Sequence, residues 1–163
     1  MKKPDKKDFP HIVLSGSAWL LFAGCLIRFL AVYGSLPDEI GVHFGGGSFD
    51  VVDKKIYGFY PFVISLITLV ICGVLSKLVN KASAGNNMTE RGTSLSRFAV
   101  KLFIDIFQLS LVFSLAGMWS DAVIRQQPLD TTVPVVLILT VFGLLFALII
   151  FLTAVKFICR EKK

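Results

Sequence analysis

Four long apolar blocks, separated by charged or polar stretches, dominate this chain of 163 residues. They cover about residues 12–33, 58–78, 98–119 and 133–158. A helix needs roughly 20 mostly apolar residues to cross the core of a bilayer. In lipid, a single segment satisfies its backbone hydrogen bonds only as a helix. The blocks therefore predict an all-α fold, a single domain in which four membrane-spanning helices form a bundle.

The overall composition favours the same class of protein. Hydrophobic residues make up 55% of the chain and charged residues 17%, and a soluble domain of this size does not bury so much apolar surface. The formal net charge of +6 could suggest a nucleic-acid partner, but the basic residues flank the apolar blocks. We therefore expect the lipid bilayer as the main partner, with neither nucleic acid nor a cofactor bound.

The segments between the blocks differ strongly in their content of Lys and Arg. Thirteen of these residues fall on one side of the predicted bundle and three on the other. Because Lys and Arg accumulate in cytoplasmic loops, both termini are predicted to be cytoplasmic and segment 34–57 to be external. The thirteen are Lys2, Lys3, Lys6, Lys7, Lys77, Lys81, Arg91, Arg97, Lys101, Lys156, Arg160, Lys162 and Lys163, and the three are Lys54, Lys55 and Arg125.

The predicted external loop concentrates the chemically versatile residues of the chain. Asp38, His43 and Asp50 could hold a divalent cation, or His43 and an Asp could form a structural hydrogen bond. The run Gly45, Gly46 and Gly47 permits positive φ in a turn, and its N–H groups could also bind an anion. The loop is longer than the 2–8 residues that commonly connect helices in a bundle, so we expect it to be structured and to bind a ligand.

The same loop resembles a known motif. The matching residues are Leu36, Pro37, Asp38, Ile40, His43, Phe44, Gly47, Asp50 and Lys55. Together they resemble the motif of a bacterial membrane family known as domain of unknown function 1648, which also occurs in the immunity protein against the sporulation-delaying peptide toxin. The resemblance implies a multi-pass protein of the bacterial plasma membrane with an immunity or signalling role, whose loop residues bind the ligand. From its position near the outer end of the first block, Arg28 is expected to belong to the same binding site.

Two ionisable residues, Arg28 and Asp105, fall well inside the apolar blocks, where a charge is costly unless it faces protein or water. Counted from the block starts they lie at different depths, so we do not expect them to pair with each other. Arg28 is predicted to pair with Asp38 or Asp50, or alternatively to reach the outer headgroups. Asp105 is predicted to form a local ion pair with Lys101, with a proton or ion relay as the alternative.

Two further features concern the connections and the packing of the helices. The stretch 81–96 is rich in Ser, Gly, Asn and Thr, which predicts a flexible connector. Small residues within the blocks predict close helix packing or self-association into a homo-oligomer. These small residues are Gly16, Ala23, Gly24, Gly73 and Gly143.

Three functions remain open at this point. The first is a non-enzymatic protein that binds a membrane-active peptide such as a toxin, a lipid or a partner membrane protein through its first outer loop and helix faces. The second is a small oligomeric transporter or channel in which Arg28 and Asp105 line the path. The third is a metal-dependent enzyme that modifies lipids with His43 and the loop Asp residues. No residue pattern identifies a catalytic group, so the first function is the one we expect.

Overall fold

A computed structural model describes residues 9–45, 48–53, 55, 58–81, 89–125 and 132–159. At 41–45, 48–52, 132–138, 140 and 157 it describes the backbone alone. The predicted basic N-terminal segment, Lys54, and loop residues Gly46 and Gly47 lie outside the described residues.

Helices dominate the described chain. Helix α1 spans Phe9–Val32 and ends in a 3₁₀ turn at Tyr33–Ser35; α2 spans Tyr60–Lys81. Helix α3 spans Glu90–Val112 and continues through a π-helical segment, Phe113–Trp119, into the short helix α4, Ser120–Arg125. Helix α5 spans Thr132–Ile158.

Length and apolar composition suit three of these helices to crossing a membrane. The three stretches are Phe9–Ser35, Tyr60–Lys81 and the continuous helix Glu90–Arg125. In α5 the described apolar stretch Val141–Lys156 is shorter, although the helix as a whole has 27 residues. The chain therefore has the character of a membrane protein, and four long helices coincide with the four predicted blocks.

The third helix is much longer than its apolar block. It begins at Glu90, so the prediction of a flexible connector is wrong for residues 90–96. The hydroxyl oxygen of Thr89 accepts a hydrogen bond from the backbone N–H of Gly92 at 3.2 Å, which caps the helix start. The backbone N–H of Thr89 also donates to the carbonyl oxygen of Cys159 at 3.0 Å, and this bond ties the start of α3 to the end of α5.

The segment between α1 and α2 contains a β-hairpin, and there the all-α prediction is wrong. Strands β1, Glu39–Gly45, and β2, Ser48–Asp53, pair antiparallel with an irregularity between Gly41 and His43. Ile40 is fully buried and Leu36 nearly so, because both pack into the core cluster with residues from the helices. The loop is thus structured as predicted, and we call the end of the helices that carries it the hairpin end.

The continuous helix α3–α4 lies at the centre of the molecule, packed against α1, α2 and α5. An aromatic cluster lies between α1 and α2 near the hairpin end, where the ring centroids of Phe29 and Phe62 are 5.2 Å apart. The outward faces of α2 and α5 are strongly apolar and exposed. Such faces are suited to contact with lipid tails.

Four of the helix glycines singled out in the sequence do not mediate close packing among the described residues of this chain. A Cβ atom added at Gly16, Gly24, Gly73 or Gly143 would meet no atom within 4 Å. The prediction that these residues let helices of one chain approach closely is therefore wrong. Self-association through them stays a prediction.

Candidate functional site

The buried face of α3 changes from polar to apolar along its length. Lys101, Asp105, Gln108 and Val112 are all buried, and their spacing of three or four residues places them on one side of the helix. We call Lys101, Asp105 and Gln108 the polar ladder. Buried ionisable groups in a membrane-spanning helix mark functional sites by default, so this face is the first candidate.

Asp105 has its partner on another helix. Nδ1 of His11, in the first turn of α1, lies 2.8 Å from Oδ2 of Asp105, and both side chains are buried. The ring of Phe98 packs edge-on against the imidazole at 5.0 Å. The sequence predicts a local pair with Lys101 and does not anticipate His11, which makes the hydrogen bond to Asp105. Lys101 lies buried one turn before Asp105 on the same helix.

Further along the same interior, two buried polar side-chain atoms make no hydrogen bond within the described part of the chain. Among the described residues, Nε2 of Gln108 and Oγ of Ser65 are buried and make no hydrogen bond to the protein. Buried polar atoms of this kind are uncommon and call for a physical reason, such as a bound water or a second conformation.

Arg28 pairs with Asp121 of the third helix, and the side chain of Asp50, one of the two loop partners predicted for it, lies outside the described side chains. Its Nη2 lies 2.7 Å from Oδ1 of Asp121, while Nε of Arg125 lies 2.8 Å from Oδ2 of the same carboxylate. The sequence predicts Asp38 or Asp50 as the partner of Arg28. The structure gives Asp121 instead, because the third helix continues past its apolar block and carries Asp121 to the level of Arg28.

The His11–Asp105 contact and the Arg28–Asp121 ion pair lie far apart along the same two helices, α1 and the third helix. His11 and Arg28 are 17 residues apart on α1, and Asp105 and Asp121 are 16 apart on the third helix. At 1.5 Å per residue both separations are about 25 Å, close to the roughly 30 Å thickness of a bilayer core. The pairs therefore hold α1 and the third helix parallel and in register across about the depth of a membrane.

The loop residues singled out in the sequence have different places in the hairpin. His43 and Asp50 occupy directly paired positions on the two strands, and Gly45 pairs with Ser48 at the turn. Asp38 is exposed just before β1, and Lys55 is exposed after β2, where its backbone N–H donates to Oδ1 of Asp53 at 2.7 Å. The side chains of His43 and Asp50 lie outside the description, so the predicted cation site stays a prediction; the residues that are described contain no group of three or more His, Cys, Asp and Glu that could hold a metal ion.

A wide groove runs between α2 and α5, with α3 as its floor. Its volume is about 780 Å³ and its surface is almost entirely apolar. The residues on its walls and floor include Thr68 and Cys72 of α2, Phe107, Ser110 and Ser114 of the third helix, and Leu145 of α5. The hydroxyl groups of Thr68 and Ser114 donate to backbone carbonyls one turn earlier, at 2.9 and 3.0 Å, so the groove presents no unbonded hydroxyl proton at these two residues.

Neither the groove nor the His11 pair is anticipated by the sequence reasoning. A usable signal for the groove is the spacing of its small polar residues, because Thr68 and Cys72, and likewise Ser110 and Ser114, stand four apart within apolar helices. Such pairs fall on one helix face, and small polar residues mark helix contacts in membranes. The signal for the His11–Asp105 contact is His11 itself, a titratable residue at the edge of an apolar block.

No protein-family model, curated protein or solved structure matches this chain.

Proposed function

We propose that the chain is a non-enzymatic membrane protein that binds a membrane-active helical peptide, with the groove between α2 and α5 as the binding site. The observation that carries this proposal is the groove itself, about 780 Å³ of largely apolar space that is partly open at the surface of the protein. Ligand pockets commonly have 300–1,000 Å³. A helix that lays one face into an apolar groove is a recurrent mode of peptide recognition.

The lining of the groove favours a helix over a lipid chain as the occupant. Between helices in lipid there is no hydrophobic driving force, so association depends on close packing and on small or hydroxyl-bearing side chains. Thr68, Ser110 and Ser114 supply such side chains on one wall and the floor. From Phe103 to Leu115 the floor is about 18 Å long at 1.5 Å per residue, which accommodates about three turns of a helix.

The membrane placement belongs to the proposal as well. We place four spans in a bacterial plasma membrane, with both termini in the cytoplasm and the hairpin outside. The support is the excess of Lys and Arg in the segments at the end opposite the hairpin. A reporter enzyme inserted between residues 82 and 88 should be active in the cytoplasm, and activity outside the cell would reverse the orientation.

The external hairpin gives the peptide a second, polar contact. Asp38, His43, Asp50, Lys55 and the glycines 45–47 belong to the segment that resembles domain of unknown function 1648. A loop held by a rigid scaffold is where recognition residues commonly lie, and here Leu36 and Ile40 anchor the hairpin in the core. In this proposal the hairpin recognises the polar end of the peptide, and the groove receives its apolar face.

Sensitivity of cells to membrane-active peptides tests the function. Cells that lack the protein should be more sensitive to at least one helical peptide in a panel, and the wild type should restore resistance. Leu145→Trp, in the groove, should lose this protection by steric occlusion. Ile149→Trp, one turn further along α5 and exposed, is the matched control and should protect fully. Equal protection by both variants would count against the groove.

A second candidate, transport by an oligomer, is favoured by the polar ladder. Lys101, Asp105 and His11 form a buried ionisable cluster, and such clusters line proton pathways in transporters. Proteoliposomes with a pH-sensitive dye inside distinguish the candidates. Proton flux that Asp105→Asn abolishes would favour transport, whereas tight vesicles would favour the binding protein.

A further inference from the structure

A cluster of three charged side chains at the hairpin end has a feature that the proposed function does not use. Arg28 and Arg125 share the carboxylate of Asp121, each with one nitrogen within 2.8 Å of a carboxylate oxygen. We call these three residues the arginine cluster. Two guanidinium groups face a single carboxylate, so the cluster carries a net charge of +1.

Both arginines remain open to an additional anion. Their side chains are 52% and 59% exposed, in contrast with 34% for Asp121. A guanidinium group has five N–H donors in a planar fork. The ion pairs with Asp121 are made by one nitrogen of each arginine, so most of the donors lie on a half-exposed surface and can reach an anion from outside.

The depth of the arginine cluster along the helices indicates which anions can reach it. It lies about 25 Å along the helices from the His11–Asp105 pair, so if that pair is near one boundary of the bilayer core, the cluster is near the other. Trp119, two residues before Asp121, is an interfacial residue type in membrane proteins. The anions concentrated at this depth are the phosphate groups of phospholipids.

We infer that the arginine cluster binds the phosphate of an anionic phospholipid headgroup. Arginine matches phosphate oxygens with two parallel hydrogen bonds. Asp121 fixes both guanidinium groups in place beforehand, which lowers the entropic cost of ordering them around the ligand. The inference requires only that the helices span the bilayer, and it does not depend on the peptide-binding groove.

Fluorescence of Trp119 provides a local measurement. The chain has two tryptophans, so Trp19→Phe leaves Trp119 as the reporter next to the cluster. The protein is placed in phosphatidylcholine vesicles that contain dibrominated phosphatidylglycerol or, separately, dibrominated phosphatidylcholine. The ratio of the two quenching constants gives the preference for the anionic lipid at this site.

Two substitutions of Arg125 change the charge of the cluster and leave the Arg28–Asp121 pair in place. One basic residue near a membrane surface contributes about a fivefold preference for anionic lipid. Arg125→Ala should therefore lower the ratio about fivefold, and Arg125→Glu, which makes the cluster negative, should lower it further. Arg91→Ala, an exposed arginine in the first turn of the same long helix, is the matched control and should leave the ratio unchanged.

If both Arg125 variants keep the wild-type ratio of quenching constants, the inference is overturned. A fall of the same size in Arg91→Ala would overturn it too, because the preference would then reflect the overall charge of the protein. Soluble glycerol phosphate separates the two sources of phosphate. If it removes the preference at the concentration of the anionic lipid, the site binds a free phosphate ester and the assignment to a headgroup is wrong.

Discussion

Nδ1 of His11 lies 2.8 Å from Oδ2 of Asp105 in a buried contact between the first turn of α1 and the middle of α3. The pair sets the position of α1 along the third helix. In that position Arg28, 17 residues further along α1, lies beside Asp121, 16 residues further along the third helix. The apolar surfaces of the two helices could slide past each other at little cost in lipid. The buried pair therefore supplies the register that the apolar residues leave undefined.

Loss of His11 should destabilise the protein strongly. His11→Ala leaves the buried carboxyl group of Asp105 without its hydrogen-bond partner on α1, which costs about 2 kcal/mol. Unfolding in a titration with sodium dodecyl sulfate measures the loss. The double variant His11→Ala, Asp105→Ala should regain most of it, and Val13→Ala, half-exposed on the same helix, is the control. A loss in the double variant as large as in His11→Ala would show that the pair itself is not the cause.

Arg28 should be coupled energetically to Asp121. Both side chains are substantially exposed, so solvent screening limits the coupling to about 0.5 kcal/mol. Double-mutant cycles with alanine substitutions measure the coupling of Arg28 to Asp121 and, for comparison, to Asp38. A larger coupling to Asp38 would restore the pairing predicted from the sequence and contradict the structure.

Removal of the Thr89 cap should loosen the start of the third helix. Thr89→Ala leaves the N–H of Gly92 without its side-chain acceptor, at a cost of about 1 kcal/mol. Hydrogen exchange of the amides at 92–97 should accelerate accordingly. Ser94→Ala, an exposed change within the same turns, should leave exchange nearly unchanged, whereas equal exchange in both variants would mean that the side chain of Thr89 does not cap the helix.

Alanine at Gly73 or Gly143 should be tolerated. The added methyl group meets no atom within 4 Å, and alanine is favoured over glycine within a helix by up to about 1 kcal/mol. Stability in detergent should therefore stay the same or rise. A clear loss would indicate that the glycine lies in a contact with another copy of the chain, and sedimentation of the wild type would then show an oligomer.

The long helices were predictable because length and apolarity alone decide whether a segment can cross a bilayer. The start of the third helix was not, since residues 90–97 are polar and helical outside the apolar block. The hairpin left a usable signal in the alternation around Ile40 and Phe44, followed by glycines.

The His11–Asp105 and Arg28–Asp121 contacts and the groove each depend on how several helices pack, so the sequence of a single helix does not predict them. The match between Asp105 and His11 depends on where α3 begins relative to the start of α1. If the two apolar blocks are taken to begin at the same level, Asp105 falls level with the middle of α1 instead of its first turn. The groove exists because α2 and α5 both pack on α3 and leave its face between them uncovered. In lipid-facing helices, apolar residues cover exposed and buried faces alike, so periodicity does not reveal which faces meet.

Site-specific photo-crosslinking tests the central claim, that the groove receives a helical peptide, most directly. A photoreactive phenylalanine analogue is placed at Leu145 in the groove or at Ile149 outside it, and adducts formed in native membranes are identified by mass spectrometry. The account predicts a peptide adduct at position 145 that is absent at position 149. Lipid adducts alone at position 145, or the same adducts at both positions, would contradict it.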